Sequence, residues 1–315
     1  MSIGGYFELE LLLTEEYHKN AIRLNTGRNA FEFILRARNY KKVYLPFYTC
    51  DVILEPITKL DLKYEFYSID LNFYPNFDFN KLGEDEVFVY NNYFGLCDKQ
   101  TKEIVTLCKN IIVDNSQAFY TKPIKGVDTF YSPRKFFGLP DGAYLYTNKL
   151  IDYNIEKDIS YERCEHLLGR MDTTAEQHFQ VYKENSKILC NQPIKKMSNL
   201  TQRLLSSIDY KTISDKRRHN FNLIHKELGS RNKLNLNISS TEIPMVYPFL
   251  VENGKLLKQK LISNKIYVAS YWPNVLDWAK ADSFEYNLAK NMIAVPVDQR
   301  YEIKDMNEVL KLLKI

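Results

Sequence analysis

The first half of the chain alternates short apolar runs with stretches of helical period, and this limits the fold more than any other feature. Residues 29–39, NAFEFILRARN, set Phe31, Ile34 and Leu35 on one helical face. KKVYLPFYTC follows as a short buried strand ending at Pro46, then LDLKYEFYSID and DEVFVYNNYFG as two more. CDKQTKEIVTLCKN reads as a helix, and NIIVDNSQ, VDTFYS and AYLYT complete the series of strands. Short apolar strands separated by helices predict an α/β layer: a mostly parallel central sheet flanked by helices.

The second half changes character. From about Asp152 to Glu227 the pattern is long, polar and helical, and SDKRRHNFNLIHKELGS is a helix that stops at Gly229. Residues 230–315 shift to short strands (EIPMVYPFLVEN, NKIYVASYWPN) and helices (GKLLKQKLIS, IKDMNEVLKLLK), which predicts a small C-terminal α+β domain. The expected division is a large domain over 1–212 and a small one over 213–315.

Charge and cysteine content narrow the function. Forty-three Lys+Arg against 39 Asp+Glu leave a net charge of +4. The basic residues are scattered in pairs such as Lys41-Lys42 and Arg217-Arg218, without the sustained stripe of a nucleic-acid face. Five cysteines with no Cys-x-x-Cys pair argue against a zinc site or a disulfide framework. All five are expected reduced, and none catalytic, Cys50 included. MSIGGYFELELLLTEEYHKN lacks a basic n-region and is interrupted by Glu8, Glu10, Glu15 and Glu16, so neither a signal peptide nor a membrane span is expected. The expected setting is the cytoplasm, with no metal.

Common cofactor motifs do not occur. There is no Gly-x-Gly-x-x-Gly, no Gly-x-x-x-x-Gly-Lys-Ser/Thr, no Gly-x-Ser-x-Gly and no His-Glu-x-x-His. What remains is a set of polar residues at the carboxyl ends of the expected strands, where open α/β sheets hold their ligands. IIVDNSQAFY ends an apolar strand in Asp114, with Gln117 three residues on; Asp114 either caps a helix or faces a ligand. LNTGRNAFEF sets Thr26, Gly27 and Arg28 before a helix, either as an ordinary N-cap or as a phosphate cradle. Phe47 and Tyr48 follow a strand end and either fill the core or offer a ring to a ligand. Lys135 stands in DTFYSPRKFFGLPDGAYLY, an aromatic run that predicts a desolvated amine next to Arg134. A Schiff-base lysine, a carboxylate for a pyridine nitrogen, an anion cradle and an aromatic face are together what pyridoxal phosphate (PLP) requires.

With these residues the chain resembles the DegT/DnrJ/StrS family of sugar aminotransferases, in the fold-type-I, aspartate-aminotransferase-like class. The landmarks are LNTGRNAFEFIL, VYLPFYTCD, VYNNYFGLCD, IIVDNSQAFY, FYSPRKFFGLPDGAYLY and AVPVDQRY, which span nearly the whole chain. The specific pair is VDNSQA with RKFFGLPDGA, 21 residues apart from Asp114 to Lys135. By this resemblance Lys135 is the Schiff-base lysine and Asp114 the partner of the pyridinium nitrogen. Gln117 lies beside the cofactor ring, Thr26, Gly27 and Arg28 form the phosphate loop, and Tyr48 or Phe47 supplies the stacking ring. Three positions depart from the family pattern: Arg28 replaces a threonine, Phe130 replaces a phosphate-binding serine, and Asn92-Tyr93-Phe94-Gly95 replaces His-Leu-Tyr-Gly. Thr129 or Ser132 would then substitute for the serine.

The resemblance implies an amino transfer from glutamate to a keto sugar, nucleotide-linked, in polysaccharide or deoxysugar biosynthesis. The alternative is a catalytically weak relative that binds PLP or a sugar nucleotide as a regulatory or assembly protein. A sugar dehydratase of the same family would carry histidine at the lysine position. The resemblance also implies a homodimer, with His166, Arg170 and Asn185 as candidates to reach the neighbour's cofactor.

Overall fold

The computed structural model describes residues 3–152 and 154–314. Eight strands form one sheet: β1 (Ile22–Leu24), β2 (Lys42–Pro46), β3 (Lys63–Ile69), β4 (Pro75–Asn76), β5 (Glu86–Asn91), β6 (Ile111–Asp114), β7 (Asp128–Tyr131) and β8 (Ala143–Tyr146). Their spatial order is β1-β8-β7-β6-β5-β2-β3-β4. The five central strands, β7 to β3 in that order, run parallel. Strand β8 is antiparallel to both β7 and β1, and the short β4 is antiparallel to β3.

Burial on both faces explains why these strands read as apolar runs. Along β5, Val87 and Val89 join one core with Leu45, Ile112 and Phe130, while Phe88 and Tyr90 join the other. Helix α1 (Gly27–Arg38) covers the first of these faces, burying Phe31, Ile34 and Leu35 as its period predicts. It stops at Asn39, whose left-handed φ of 57° ends the helical path.

The polar second half forms four helices over Glu165–Asp172, Phe179–Ile188, Asn199–Ser206 and Tyr210–Leu228. The expected boundary at 212/213 falls in the first turn of the last of them. Beyond it, β9 (Val246–Leu250) pairs with β10 (Met292–Pro296), antiparallel. NKIYVASYWPN, expected as a strand, makes only an isolated antiparallel bridge, Ala269 to Ala294 of β10. Among the described residues no helix is long and apolar enough to cross a membrane.

One buried histidine makes the fold sensitive to pH. His18 is buried among Tyr17, Phe119, Tyr131 and Tyr144. Its Nε2–H donates to the Phe119 carbonyl at 2.7 Å, and its Nδ1 accepts from the Tyr146 hydroxyl at 3.1 Å. Both bonds suit a neutral ring, and burial lowers its pKa from 6.5 to about 4, with the Phe119 bond opposing and Lys122 adding to the shift. The unfolded chain therefore takes up the proton first. The stability is fully present above pH 6.5 and declines as pH falls toward 4, by about 3 kcal/mol in all. Urea unfolding of His18→Gln should show a shallower decline than the wild type across this window. Equal slopes would show that His18 does not set it.

Candidate active site

Three neighbouring strands end on one line. Asn91 of β5 pairs with Asp114 of β6, and Asp114 with Phe130 of β7. Beyond these ends opens a cleft with about 870 Å³ of empty space. It is lined by the start of α1, the Asp114–Gln117 loop, the turn carrying Lys135 and, from the C-terminal region, Trp272.

Helix α1 presents its N-terminus to the cleft. Thr26 caps it, accepting from Asn29 N at 3.1 Å through Oγ1 and from Ala30 N at 3.0 Å through its carbonyl. The amides of Gly27 and Arg28 belong to the group that a helix cannot satisfy internally. A Cβ on Gly27 would meet Ser116 Oγ at 3.6 Å and Ser132 Cβ at 3.7 Å, so both serines border the same spot. The Arg28 side chain is drawn aside: its Nη1 donates to Glu55 Oε2 at 2.6 Å, and Glu55 Oε1 accepts from Asn191 N at 2.7 Å.

Asp114 accepts from Ser116 N at 2.7 Å. Burial pushes its pKa up, and the positive charge of Lys135 and the bonds from Ser116 oppose that. Gln117 is 4% exposed; its Oε1 accepts from Phe94 N at 3.1 Å, while its Nε2 has no partner. Asn91, 5% exposed, donates to Thr49 Oγ1 at 3.0 Å and leaves its own Oδ1 unpartnered. Both line the cleft. A buried polar atom left unpaired costs about 1–3 kcal/mol, so two of them on residues of one cleft wall mark a place for a polar ligand.

The lysine corrects one expectation. Strand β7 leads into a tight turn, Pro133–Lys135, in which Phe136 and Phe137 are buried but Lys135 is exposed to the cleft. The aromatic run builds the wall, and the turn swings the amine out of it. Two residues that the sequence reading missed hold this turn. Arg217 Nη2 donates to the Phe136 carbonyl at 3.2 Å and Gln299 Nε2 to the same oxygen at 2.9 Å. The buried Arg217 guanidinium also lies 4.7 Å from the Phe136 ring centroid. Gln299 belongs to AVPVDQRY, a landmark with no role assigned from sequence; Arg217 carried no signal.

The aromatic surface also differs from expectation. Tyr48 is fully buried and is absent from the cleft lining, while Phe47 stacks on Phe66 with centroids 5.0 Å apart. Tyr48 backs Trp272, edge to face at 5.0 Å, and it is Trp272 that faces the lysine, with Nζ 5.9 Å from its ring centroid. Phe130 packs its ring against Phe31 at 5.7 Å, and Thr129 is buried, whereas Ser132 lines the cleft. His166 and Asn185 are buried within their own chain, Asn185 donating to the Pro140 carbonyl at 3.4 Å; only Arg170 of that trio is exposed. Cys50 lines the cleft half-buried, and burial pushes its thiol pKa up against the opposing charge of Lys135. Among the described residues no group of three His, Cys, Asp or Glu could hold a metal ion.

An amine, a partly buried carboxylate, free helix-terminal amides and an indole face thus meet in one cleft, with Gln117 Nε2 and Asn91 Oδ1 unpaired. This donor set fits pyridoxal phosphate.

No family model matches the chain, and no curated protein matches it. Solved structures do. The apo-form of the Streptococcus pneumoniae protein Spr1654, described as a sugar aminotransferase, superposes with a TM-score of 0.67 at 14% identity, covering 96% of this chain and 91% of its own. That protein has also been solved in PLP and PMP forms. Sugar aminotransferase CalS13 from Micromonospora echinospora gives a TM-score of 0.64 at 14% identity, covering 93% of this chain and 86% of its own. A DegT DnrJ EryC1 StrS aminotransferase from Brucella abortus gives 0.62 at 14% identity, covering 93% and 85%. The chain therefore has the fold of these sugar aminotransferases, the fold-type-I α/β architecture, over nearly its whole length.

Proposed function

We propose that this protein is a PLP-dependent aminotransferase that moves an amino group from glutamate to a nucleotide-linked keto sugar. The observation that carries the reading is the cleft itself: Lys135 and Asp114 share it with the open N-terminus of α1 and the unpartnered Gln117 amide. The names of the structures that share this fold supply the sugar class. When bound, PLP offers an aldehyde that takes up the amino group and a ring that accepts electrons from the adjacent carbon.

The side chains divide the remaining work. Lys135 Nζ anchors the cofactor and, once released, is placed to move a proton between neighbouring carbons. The Asp114 carboxylate, held by Ser116 N, keeps a proton on the ring nitrogen. Gln117 Nε2 would be free to donate to the cofactor, and the Gly27 and Arg28 amides would hold its phosphate. Trp272 sets its ring beside Lys135 in the cleft wall.

We also propose a homodimer. Leu168 and Met171 on one helix, and Phe179, Tyr182 and Ile188 on the next, are exposed apolar side chains that a second copy would cover.

The test uses protein loaded with PLP. Glutamate should convert the cofactor to its amine form, read by absorbance, and one member of a panel of keto-sugar nucleotides should reverse the change. Sedimentation of the same sample should give twice the chain mass. A spectrum that glutamate leaves untouched would sink the aminotransferase reading, and a fully active monomer would sink the dimer.

A further inference from the structure

We infer that Arg134 is the cation that holds a phosphate dianion in this cleft, in place of the serine that Phe130 displaces. The inference rests on the PLP reading of the same site.

Arg134 lines the cleft in the turn between Ser132 and Lys135. Among the described residues it forms no ion pair, and its hydrogen bond from Nε to the Leu139 carbonyl is a long one, at 3.4 Å. A half-buried guanidinium without a carboxylate is an unbalanced charge, since such groups are paired when they leave water. Burial pushes its pKa down, with Tyr182 and Asp141 opposing that shift and Arg28 and Arg163 adding to it. Arg28 is already matched by Glu55 at 2.6 Å and Arg163 by Asp158 at 2.6 Å, which leaves Arg134 as the unpaired one of these three arginines.

What surrounds it selects the anion. The start of the 12-residue α1 faces the same cleft, with Ser116 and Ser132 beside Gly27. Helix-terminal amides, hydroxyls and a two-pronged guanidinium are the donors that a tetrahedral dianion uses. The buried, unpartnered Gln117 Nε2 in the same cleft is an independent sign that a polar ligand completes it. Phe130, buried against Phe31, has no hydrogen-bonding side-chain atom to offer, and Arg134 lines the same cleft four residues on.

The phosphate could belong to the cofactor or to another ligand, and three probes separate these sources. PLP and pyridoxal, which lacks the phosphate, are titrated by the absorbance of the adduct on Lys135, and inorganic phosphate is titrated by calorimetry. Arg134→Gln should weaken PLP about 10- to 100-fold while leaving pyridoxal unchanged, as expected for loss of a charge-assisted pair. Inorganic phosphate should compete with PLP in the wild type and fail to do so in Arg134→Gln. Arg134→Lys, which keeps the charge and loses the fork, should fall between them. Unchanged pyridoxal binding is also the control that the variant is folded. If Arg134→Gln does not fold, Arg134→Lys decides alone.

Wild-type preference for PLP over pyridoxal in the folded variants overturns the inference and leaves the aminotransferase reading standing. If the wild type forms no PLP adduct, that reading fails, and calorimetry decides separately. Phosphate binding that depends on Arg134 then supports the anion site for another phosphate ligand, and binding that does not depend on it overturns the site.

Discussion

Borohydride treatment of the PLP-loaded protein should fix one phosphopyridoxyl group, on the peptide carrying Lys135 and on no other. Lys135 is the lysine that lines the cleft, in the same lining as Asp114 and Gln117. In Lys135→Ala the adduct should vanish and turnover should fall by about 10⁴-fold or more, because one amine supplies both the covalent anchor and the proton transfer. The fold should survive, since Lys135 is exposed and the turn is held through the Phe136 carbonyl by Arg217 and Gln299. Some PLP should remain bound without the covalent link, through the donors around the α1 N-terminus and Asp114. Mass spectrometry of the reduced protein decides the matter. An adduct on a different lysine, or none, would rule out the mechanism and favour a protein that only binds a sugar nucleotide.

Asp114→Asn should separate binding from chemistry. The amide keeps the shape of the carboxylate and can still accept from Ser116 N, now at 2.7 Å, so the Lys135 adduct should form as before. What is lost is the negative charge that stabilises a proton on the ring nitrogen. An electrostatic partner of this kind is worth roughly 10²- to 10³-fold in rate. Stability should move the other way. Burial raises the Asp114 pKa in the folded state, so its ionised form at neutral pH counts against folding, and the neutral amide removes that cost. Urea unfolding at pH 7 should therefore find the variant at least as stable as the wild type. A variant with unchanged turnover would remove Asp114 from the mechanism, and one that unfolds more readily would contradict the burial argument.

Much of this was legible in the sequence for a physical reason. Strands buried on both faces must be apolar along their length, and helices that cover them must repeat at 3.6 residues. Runs such as IIVD and EVFVYN therefore announce themselves, as does the face of Phe31, Ile34 and Leu35. Polar residues just past such strands stand out, and this made Asp114, Gln117 and Lys135 visible before any coordinates. NKIYVASYWPN is where the same logic failed. Its apolar residues suggest a strand, but it meets β10 only at the Ala269–Ala294 bridge, and Trp272 lines the cleft.

The sequence by itself determined the order of strands and helices, the layered α/β class and the loops that carry the chemistry. Local composition controls these through burial and backbone geometry. The tertiary structure alone decided that Lys135 stands clear of its aromatic run, that Trp272 and not Tyr48 faces it, and that Glu55 claims Arg28 while Arg134 is left unpaired. It also brought Arg217 and Gln299 from the far end of the chain onto one carbonyl beside the lysine. These contacts join residues distant in sequence, and which side chain meets which depends on how packed layers close against one another, a choice that local pattern does not encode.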